Sequence, residues 1–183
     1  MSGTVSAVAA WVFQHGAMAE EVVFREVDEE GELPGIREEE REAIAALLPE
    51  LRATWVGVLR AAREAVWALS KGHACHRALR KGVNRDETIW ARGYVSMPAG
   101  QGLSAGVSLD NWGEDVYYLH AWLWVAPERR AEVEEALRDL DPAPWRNEHG
   151  SFLLTVDAPR EGERWEDAGR RAAEALWRML RPA

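Results

Sequence analysis

The stretch of sequence with the most chemically capable side chains is residues 116–125, VYYLHAWLWV. Its residues alternate with a period of two, which predicts a β-strand. The alternation places Val116 on one face together with four rings that have polar tips, and these are Tyr118, His120, Trp122 and Trp124. Such rings can bind a ligand or a protein partner, or they can pack beneath helices as part of the core. The sequence leaves both alternatives open.

Two other predicted strands and one turn bring further candidates to this region. Residues 103–110 alternate apolar residues with a row of small ones, and that row leaves space for the rings or for a ligand. Residues 88–96 place Arg92 on a face with Trp90, Tyr94 and Ser96. The candidate residues for ligand or partner binding are therefore Arg92, Asp110, Trp112, Tyr118, His120, Trp122 and Trp124.

The sequence contains no nucleophile, base and acid in a recognisable catalytic pattern, so we assign no catalytic residue. Asp110, His120 and Arg92 could serve a hydrolase only if the fold brought them into one open cleft. Gly100 and Gly102 lie in a turn between two predicted strands, whereas phosphate-binding glycine loops lead into a helix. We therefore expect no bound nucleotide.

His73, Cys75 and His76 place three possible soft-metal ligands within four residues. Zinc sites usually combine two ligand pairs, and the other histidines of the chain form no second pair. We therefore expect a solvated loop here, with no metal and no cofactor.

The formal net charge of -9 is distributed unevenly along the chain. Residues 1–50 carry a net charge of -9, residues 51–85 carry +7 and residues 86–183 carry -7. Clustered cations could bind nucleic acid or a protein, or the acidic and basic blocks could neutralise each other across a pair of helices. The candidate basic patch consists of Arg52, Arg60, Arg63, Lys71, Arg77, Arg80, Lys81 and Arg85.

The hydrophobic pattern predicts an α+β fold, with helices packed on one face of a mainly antiparallel sheet. We expect a single domain over residues 1–183, in the order α-β-β-β-α-β-α, with residues 1–33 as a hairpin or helix–strand appendage. A strand is predicted at 21–27, and residues 4–13 fit a helix or a strand. Pro49 interrupts the first long helical pattern, which predicts two helices or one bent helix. The later predicted elements are an irregular basic connection at 70–84, a three-strand meander at 88–96, 103–110 and 116–125, a helix from Pro127, a strand at 151–157 and a helix at 163–181.

The order helix, three strands, helix, strand resembles the minimal core of the restriction-endonuclease-like nucleases over residues 36–157. That resemblance implies an acid on the second strand and an acid-x-Lys pair on the third, which together hold a metal ion for phosphodiester hydrolysis. Asp110 ends the second predicted strand, but residues 116–125 contain neither an acid nor a lysine. A core of that kind would therefore be an inactive derivative.

The sequence favours a cytoplasmic protein without a membrane span. No apolar run reaches the roughly 20 residues that a span needs, and residues 1–13 lack the basic start of a signal peptide. The lone cysteine, Cys75, fits a reducing compartment. Ten tryptophans, a residue type enriched at interface hot spots, favour a non-catalytic protein that binds another protein. Its contact surface would be the charge-segregated helical region or an aromatic sheet face. The alternatives are a hydrolase, such as a divergent nuclease with a degenerate site, and nucleic-acid binding through residues 51–85.

Overall fold

The computed structural model describes residues 3–16, 38–79, 85–111 and 115–183, and it confirms the predicted α+β fold. The α-helices of these residues are α1 (Ala7–Gln14), α2 (Glu38–Leu69), α3 (His76–Leu79), α4 (Asp86–Arg92), α5 (Arg130–Leu137) and α6 (Trp165–Leu180). The strands are β1 (Tyr94–Gly100), β2 (Leu103–Asp110), β3 (Tyr118–Val125), β4 (Trp145–Arg146) and β5 (Phe152–Asp157). A short 3₁₀ turn, Pro127–Arg129, leads into α5.

The five strands form one sheet in the order β1-β2-β3-β5-β4, and every neighbouring pair is antiparallel. Strands β1, β2 and β3 form the predicted meander. The turn between β1 and β2 is tight because Gly100, Gln101 and Gly102 all have positive φ angles, at 84°, 48° and 75°. Two glycines relieve most of the steric cost of that conformation.

The helices α2 and α6 pack against each other and against one face of the sheet. Their close approach depends on small residues: a Cβ atom at Gly169 of α6 would lie 2.5 Å from the backbone nitrogen of Ala62 in α2. On the sheet, every second residue belongs to the core beneath these helices, including Val95, Val107 and Ala121, which are fully buried. The intervening residues therefore project from the opposite face.

The predicted strand at 88–96 is wrong over its first half. Asp86–Arg92 is a helix, with two acids in its first turn and Gly93 in the left-handed conformation at its C-terminus, and the strand begins only at Tyr94. Acids at an N-terminus and glycine after the last turn are helix signals that outweigh the β-branched composition of this short segment. Arg92 and Trp90 consequently lie on α4 rather than on the sheet.

Other boundaries differ less from the predictions. Pro49 lies inside one helix, so the two-helix alternative is wrong. Proline has no N–H group, so the carbonyl of Ala45 loses its hydrogen-bond donor within the helix. Both Pro49 and Ala45 are exposed, so water can donate a hydrogen bond to that carbonyl instead. Residues 7–14 of the ambiguous N-terminal segment are helical. The predicted strand at 21–27 and most of the predicted appendage at 1–33 lie outside the described residues.

Candidate binding face

None of the described helices packs on the second face of the sheet, and we call this face the open face. It is defined by the residues that alternate with the core positions, in four rows that run across the strands. In order along the sheet, these rows are Pro98–Ser104–Trp124, Ser96–Gly106–Trp122–Leu153–Trp145, Tyr94–Ser108–His120–Thr155 and Asp110–Tyr118–Asp157. The register therefore brings Tyr118, His120, Trp122, Trp124 and Asp110 onto one surface.

Trp122 fills the space that the small residues of β2 provide. A Cβ atom at Gly106 would lie 2.2 Å from Cζ2 of Trp122, so the indole covers this glycine directly. Tyr94 contacts the same ring edge-on, with centroids 6.1 Å apart. The space beside the small row is thus occupied by an aromatic side chain of the protein itself.

A polar row crosses the open face next to Trp122. The indole nitrogen of Trp145 donates to Oγ1 of Thr155 over 3.3 Å, and Oγ1 of Thr155 lies 3.3 Å from Nδ1 of His120. His120 is only 4% exposed, whereas Thr155 is exposed at the surface. The ring of Tyr118 contacts the imidazole edge-on. These contacts fix the orientation of Trp145 and His120 on the sheet.

Two tryptophans of the open face remain accessible to solvent. Trp124 is 37% exposed and Trp145 is 42% exposed; Trp145 lies in the row that contains Trp122, and Trp124 lies in the adjacent row. Sequence reasoning missed Trp145 because its strand has only two residues and so shows no alternation. Both indoles stand on paired strands, which hold them in place before any partner binds.

The three residues considered for hydrolysis lie on three different elements, β2, β3 and α4. Asp110 and His120 project from the same face of the sheet, but His120 is buried there. Arg92 lies on α4, and its guanidinium donates to the hydroxyl of Tyr94 over 3.4 Å. Ser108, the cross-strand neighbour of His120, has a buried hydroxyl without a hydrogen-bond partner in the described part of the chain. A serine nucleophile needs a hydrogen bond to its base. Trp112 lies outside the described residues.

The candidate basic patch is partly neutralised by α4. Arg60 pairs with Asp86 at 2.5 Å, and Arg52 approaches Glu87 at 4.0 Å. The remaining described members differ in exposure: Arg63 is half-buried, while Lys71, Arg77 and Arg85 are exposed. Arg80 and Lys81 lie outside the described residues. The acids seen to pair with Arg52 and Arg60 belong to α4, which follows the basic block in the sequence.

The His73–Cys75–His76 segment is built from internal contacts. The backbone amide of Cys75 donates to Nδ1 of His73 over 3.4 Å, so Nδ1 is an acceptor. The thiol of Cys75, whose sulfur lies 3.1 Å from the same Nδ1, is therefore a second donor to it. Burial raises the pKa of the Cys75 thiol. The ring of His76 stacks on that of Trp67, and its Nδ1 forms a hydrogen bond of 2.8 Å with the hydroxyl oxygen of Ser70. Among the described residues no three His, Cys, Asp or Glu side chains are placed to hold a metal ion.

A cleft of about 460 Å³ lies beside α5, away from β3. Its charged walls pair with each other, Arg146 with Glu134 at 3.5 Å and Arg138 with Glu135. Phe152 forms part of its floor and belongs to the core under the helices. This cleft is therefore separate from the open face.

No family model matches the chain, and no curated protein or solved structure is similar enough to it to indicate a relative. None of the described helices is long and apolar enough to cross a membrane. The arguments about function accordingly rest on the chemistry of the surfaces described above.

Proposed function

We propose that this protein is a non-catalytic binding protein and that the open face of its sheet is the surface that contacts a protein partner. The observation that carries the proposal is the pair of exposed indoles, Trp124 and Trp145, on a sheet face that none of the described helices covers. Buried apolar side chains are the rule on sheets, and exposed tryptophans on a rigid surface are typical of interaction sites.

The composition of the open face also supports a protein partner. Its accessible residues include the rings of two tyrosines and three tryptophans and the hydroxyl groups of Ser96, Ser104 and Thr155, and these residue types are common in antibody-like binding surfaces. The large rings supply contact area at a low cost in conformational entropy, while hydroxyl groups adapt their hydrogen bonds to the partner. The indole of Trp145 is already oriented by Thr155, which reduces the ordering cost of binding further.

Nucleic acid is a less suitable partner for this face. Phosphate binding needs clustered cations, but the charged side chains in the four rows of the open face are Asp110 and Asp157. The basic residues of α2 lie on another element, and two of them, Arg52 and Arg60, already face Glu87 and Asp86. The four rows therefore contribute no lysine or arginine that could bind a phosphate backbone.

The proposal is tested by two matched pairs of substitutions. Trp124→Ala/Trp145→Ala removes the exposed rings of the open face, whereas Trp11→Ala/Trp67→Ala removes two rings of similar exposure, 43% and 39%, on α1 and α2. Immobilised full-length proteins are exposed to extract from the source organism, and retained proteins are quantified by mass spectrometry. Circular dichroism establishes that each variant is folded.

We expect one protein to be retained by the wild-type chain and by the control pair, but to be depleted about tenfold or more by the open-face pair. Equal retention by both pairs, or equal loss in both, would contradict the proposal. The comparison uses the ratio of the amounts of partner that the two double variants retain, since each variant has lost two tryptophans.

A further inference from the structure

The outer side of β5 is paired along only part of its length. Strand β5 has six residues, Phe152–Asp157, whereas its outer neighbour β4 has two, which pair with Phe152 and Leu153. The two residues just before β4 line the cleft beside α5, so the chain leaves the sheet there on the side of the helices. We call the outer side of the remaining residues, Leu154–Asp157, the β5 edge.

The direction of the backbone groups on the β5 edge follows from the hairpin that joins β4 to β5. The amide of Asn147 donates to the carbonyl of Ser151 over 3.1 Å. Backbone groups point alternately to the two sides of an antiparallel strand, so those of Thr155 and Asp157 point outward, as those of Ser151 do. The carbonyl of Asp157 accordingly accepts from the side chain of Arg171 over 3.0 Å.

Thr155 leaves both of its outward backbone groups unpaired within the described residues. Its N–H and C=O groups form no backbone hydrogen bond on the outer side, and the residue is exposed. The N–H group of Asp157 has no backbone acceptor there either. Outward main-chain groups of an edge strand are the groups that pair with a strand of another chain.

The opposite edge of the sheet, formed by β1, is protected against such pairing. The amide of Leu109 donates to the carbonyl of Gly93 over 2.9 Å, so the outward positions of β1 include Pro98. Proline has no N–H group to offer to an added strand, and helix α3 packs against β1. The β5 edge has no proline at its outward positions. The two edges therefore differ in their capacity to accept another strand.

We propose that the protein partner binds the β5 edge as an added β-strand, in line with β4. This inference rests on the proposed function of the open face and adds the conformation of the partner segment. A segment opposite Thr155 would donate to its carbonyl and accept from its N–H group, and the N–H group of Asp157 would supply a third hydrogen bond. The chemistry that is recognised is thus an extended main chain.

The indole of Trp145 borders the β5 edge on the side of the open face. Trp145 lies opposite Leu153, and its Nε1 reaches Oγ1 of Thr155 over 3.3 Å, so the ring extends along this edge. An added strand would place one of its side chains against the ring, which supplies a large apolar contact area. The β5 edge and the indole therefore form one continuous contact surface.

A second copy of the chain does not fit the β5 edge. Antiparallel pairing of two β5 strands about Thr155 would place Asp157 of each copy opposite Leu153 of the other. The outer side of Leu153 is already paired with β4. The occupant is therefore a segment of a different protein.

The experiment uses two synthetic peptides with blocked ends and the sequence Lys-Thr-Val-Thr-Val-Thr-Lys, in which the β-branched residues favour an extended conformation. The second peptide carries N-methyl groups on its five central amides, so it has the same side chains and charge but lacks their main-chain donors. Each peptide is titrated to millimolar concentration into the ¹⁵N-labelled full-length protein. The shifts and the hydrogen exchange of the Thr155 and Asp157 amides are recorded by NMR.

Two variants test the contribution of the indole. Trp145→Ala removes the ring beside the β5 edge, whereas Trp67→Ala removes a ring of similar exposure, 39% against 42%, on α2. The ¹⁵N spectrum of each variant establishes that it is folded. A general loss of apolar surface would affect both variants equally, and a specific contact only the first.

We expect the unmethylated peptide to shift the Thr155 and Asp157 amides and to leave the Tyr94 amide of β1 unchanged. At a concentration of about ten times Kd, exchange of the Thr155 amide should slow about tenfold, because only the unbound fraction exchanges. N-methylation should weaken binding about tenfold through the lost hydrogen bonds. Trp145→Ala should weaken it about fivefold and Trp67→Ala less than about twofold.

Four results would overturn the inference: no shift at millimolar concentration, shifts at the β1 edge instead, equal binding of the two peptides, or equal losses in the two variants. Shifts of the Thr155 amide that depend on protein concentration without peptide would place a second copy at the β5 edge and would overturn it as well. These results leave the proposed function standing, because that depends on the comparison of the Trp124 and Trp145 pair with its control.

Discussion

The substitution Gly106→Ala tests how the open face is built, because it adds one methyl group beneath Trp122. The new Cβ atom would lie 2.2 Å from Cζ2 of Trp122 and 2.2 Å from the carbonyl oxygen of Val95 on β1. Favourable contacts begin near 3.5 Å, so the neighbours must move by about 1 Å or more. The indole can rotate away, but the Val95 carbonyl is part of the β1–β2 ladder.

The expected cost follows from these two contacts. Overpacking a well-packed site costs about 1–3 kcal/mol, and a chain of this size loses about 2–4 °C of melting temperature per kcal/mol. We therefore expect Gly106→Ala to lower the melting temperature by about 4–8 °C, for a cost of about 2 kcal/mol. Without the contacts, the same change would stabilise a strand slightly, because alanine loses less backbone entropy than glycine on folding.

The assay is urea and thermal unfolding followed by circular dichroism, in the wild-type background and in Trp122→Ala. In the second background the methyl group meets only the Val95 carbonyl, so the cost of Gly106→Ala should be smaller by about 1 kcal/mol. The control is Ser104→Ala on the same face of β2, which removes an atom and adds none. If Gly106→Ala leaves the wild-type stability unchanged, Trp122 does not lie over this glycine and the geometry of the face is wrong.

Three further predictions concern other parts of the fold. Burial raises the pKa of the Cys75 thiol, so the fraction of thiolate at neutral pH is low. Iodoacetamide should therefore alkylate Cys75 more slowly than it alkylates free cysteine, and the rate should increase as the pH rises. Fast alkylation at pH 7 would contradict this. Gly169→Ala should destabilise the protein by about 1–3 kcal/mol, because its methyl group would meet the backbone of Ala62; an unchanged urea midpoint would refute the close packing of α2 and α6. Arg60→Ala should cost less than about 1 kcal/mol, because its ion pair with Asp86 is partly exposed; a larger loss of unfolding free energy would show that the pair is structurally important.

The fold was predictable where the hydrophobic period was long and uniform. The final helix and the strands β2 and β3 extend over enough residues for a period of 3.6 or 2 to be distinguished. For residues 88–96 the period could not be distinguished, because the seven-residue helix that ends at Arg92, just before Gly93, contains too few turns to show it. There the end signals, two acids and a glycine, were more informative than the β-branched side chains.

The candidate site was predictable in part, because strand alternation is local and sheet order is not. Alternation alone places Tyr118, His120, Trp122 and Trp124 on one face of β3. It does not indicate which face the helices cover, and it gives no sign that β5 and β4 would bring Asp157 and Trp145 beside them. Both neighbours depend on the pairing of β3 with β5, whose partners lie more than twenty positions apart in the chain.

The claim that the open face is the contact surface is tested most directly by photo-crosslinking. A benzoyl-phenylalanine residue replaces Trp124 of the open face in one variant and Trp67 of α2 in another, and both are expressed in cells of the source organism. Irradiation should yield one defined covalent adduct with a partner protein from the position of Trp124 and none from that of Trp67. A defined adduct from Trp67 alone, or the same adduct from both positions, would contradict the account.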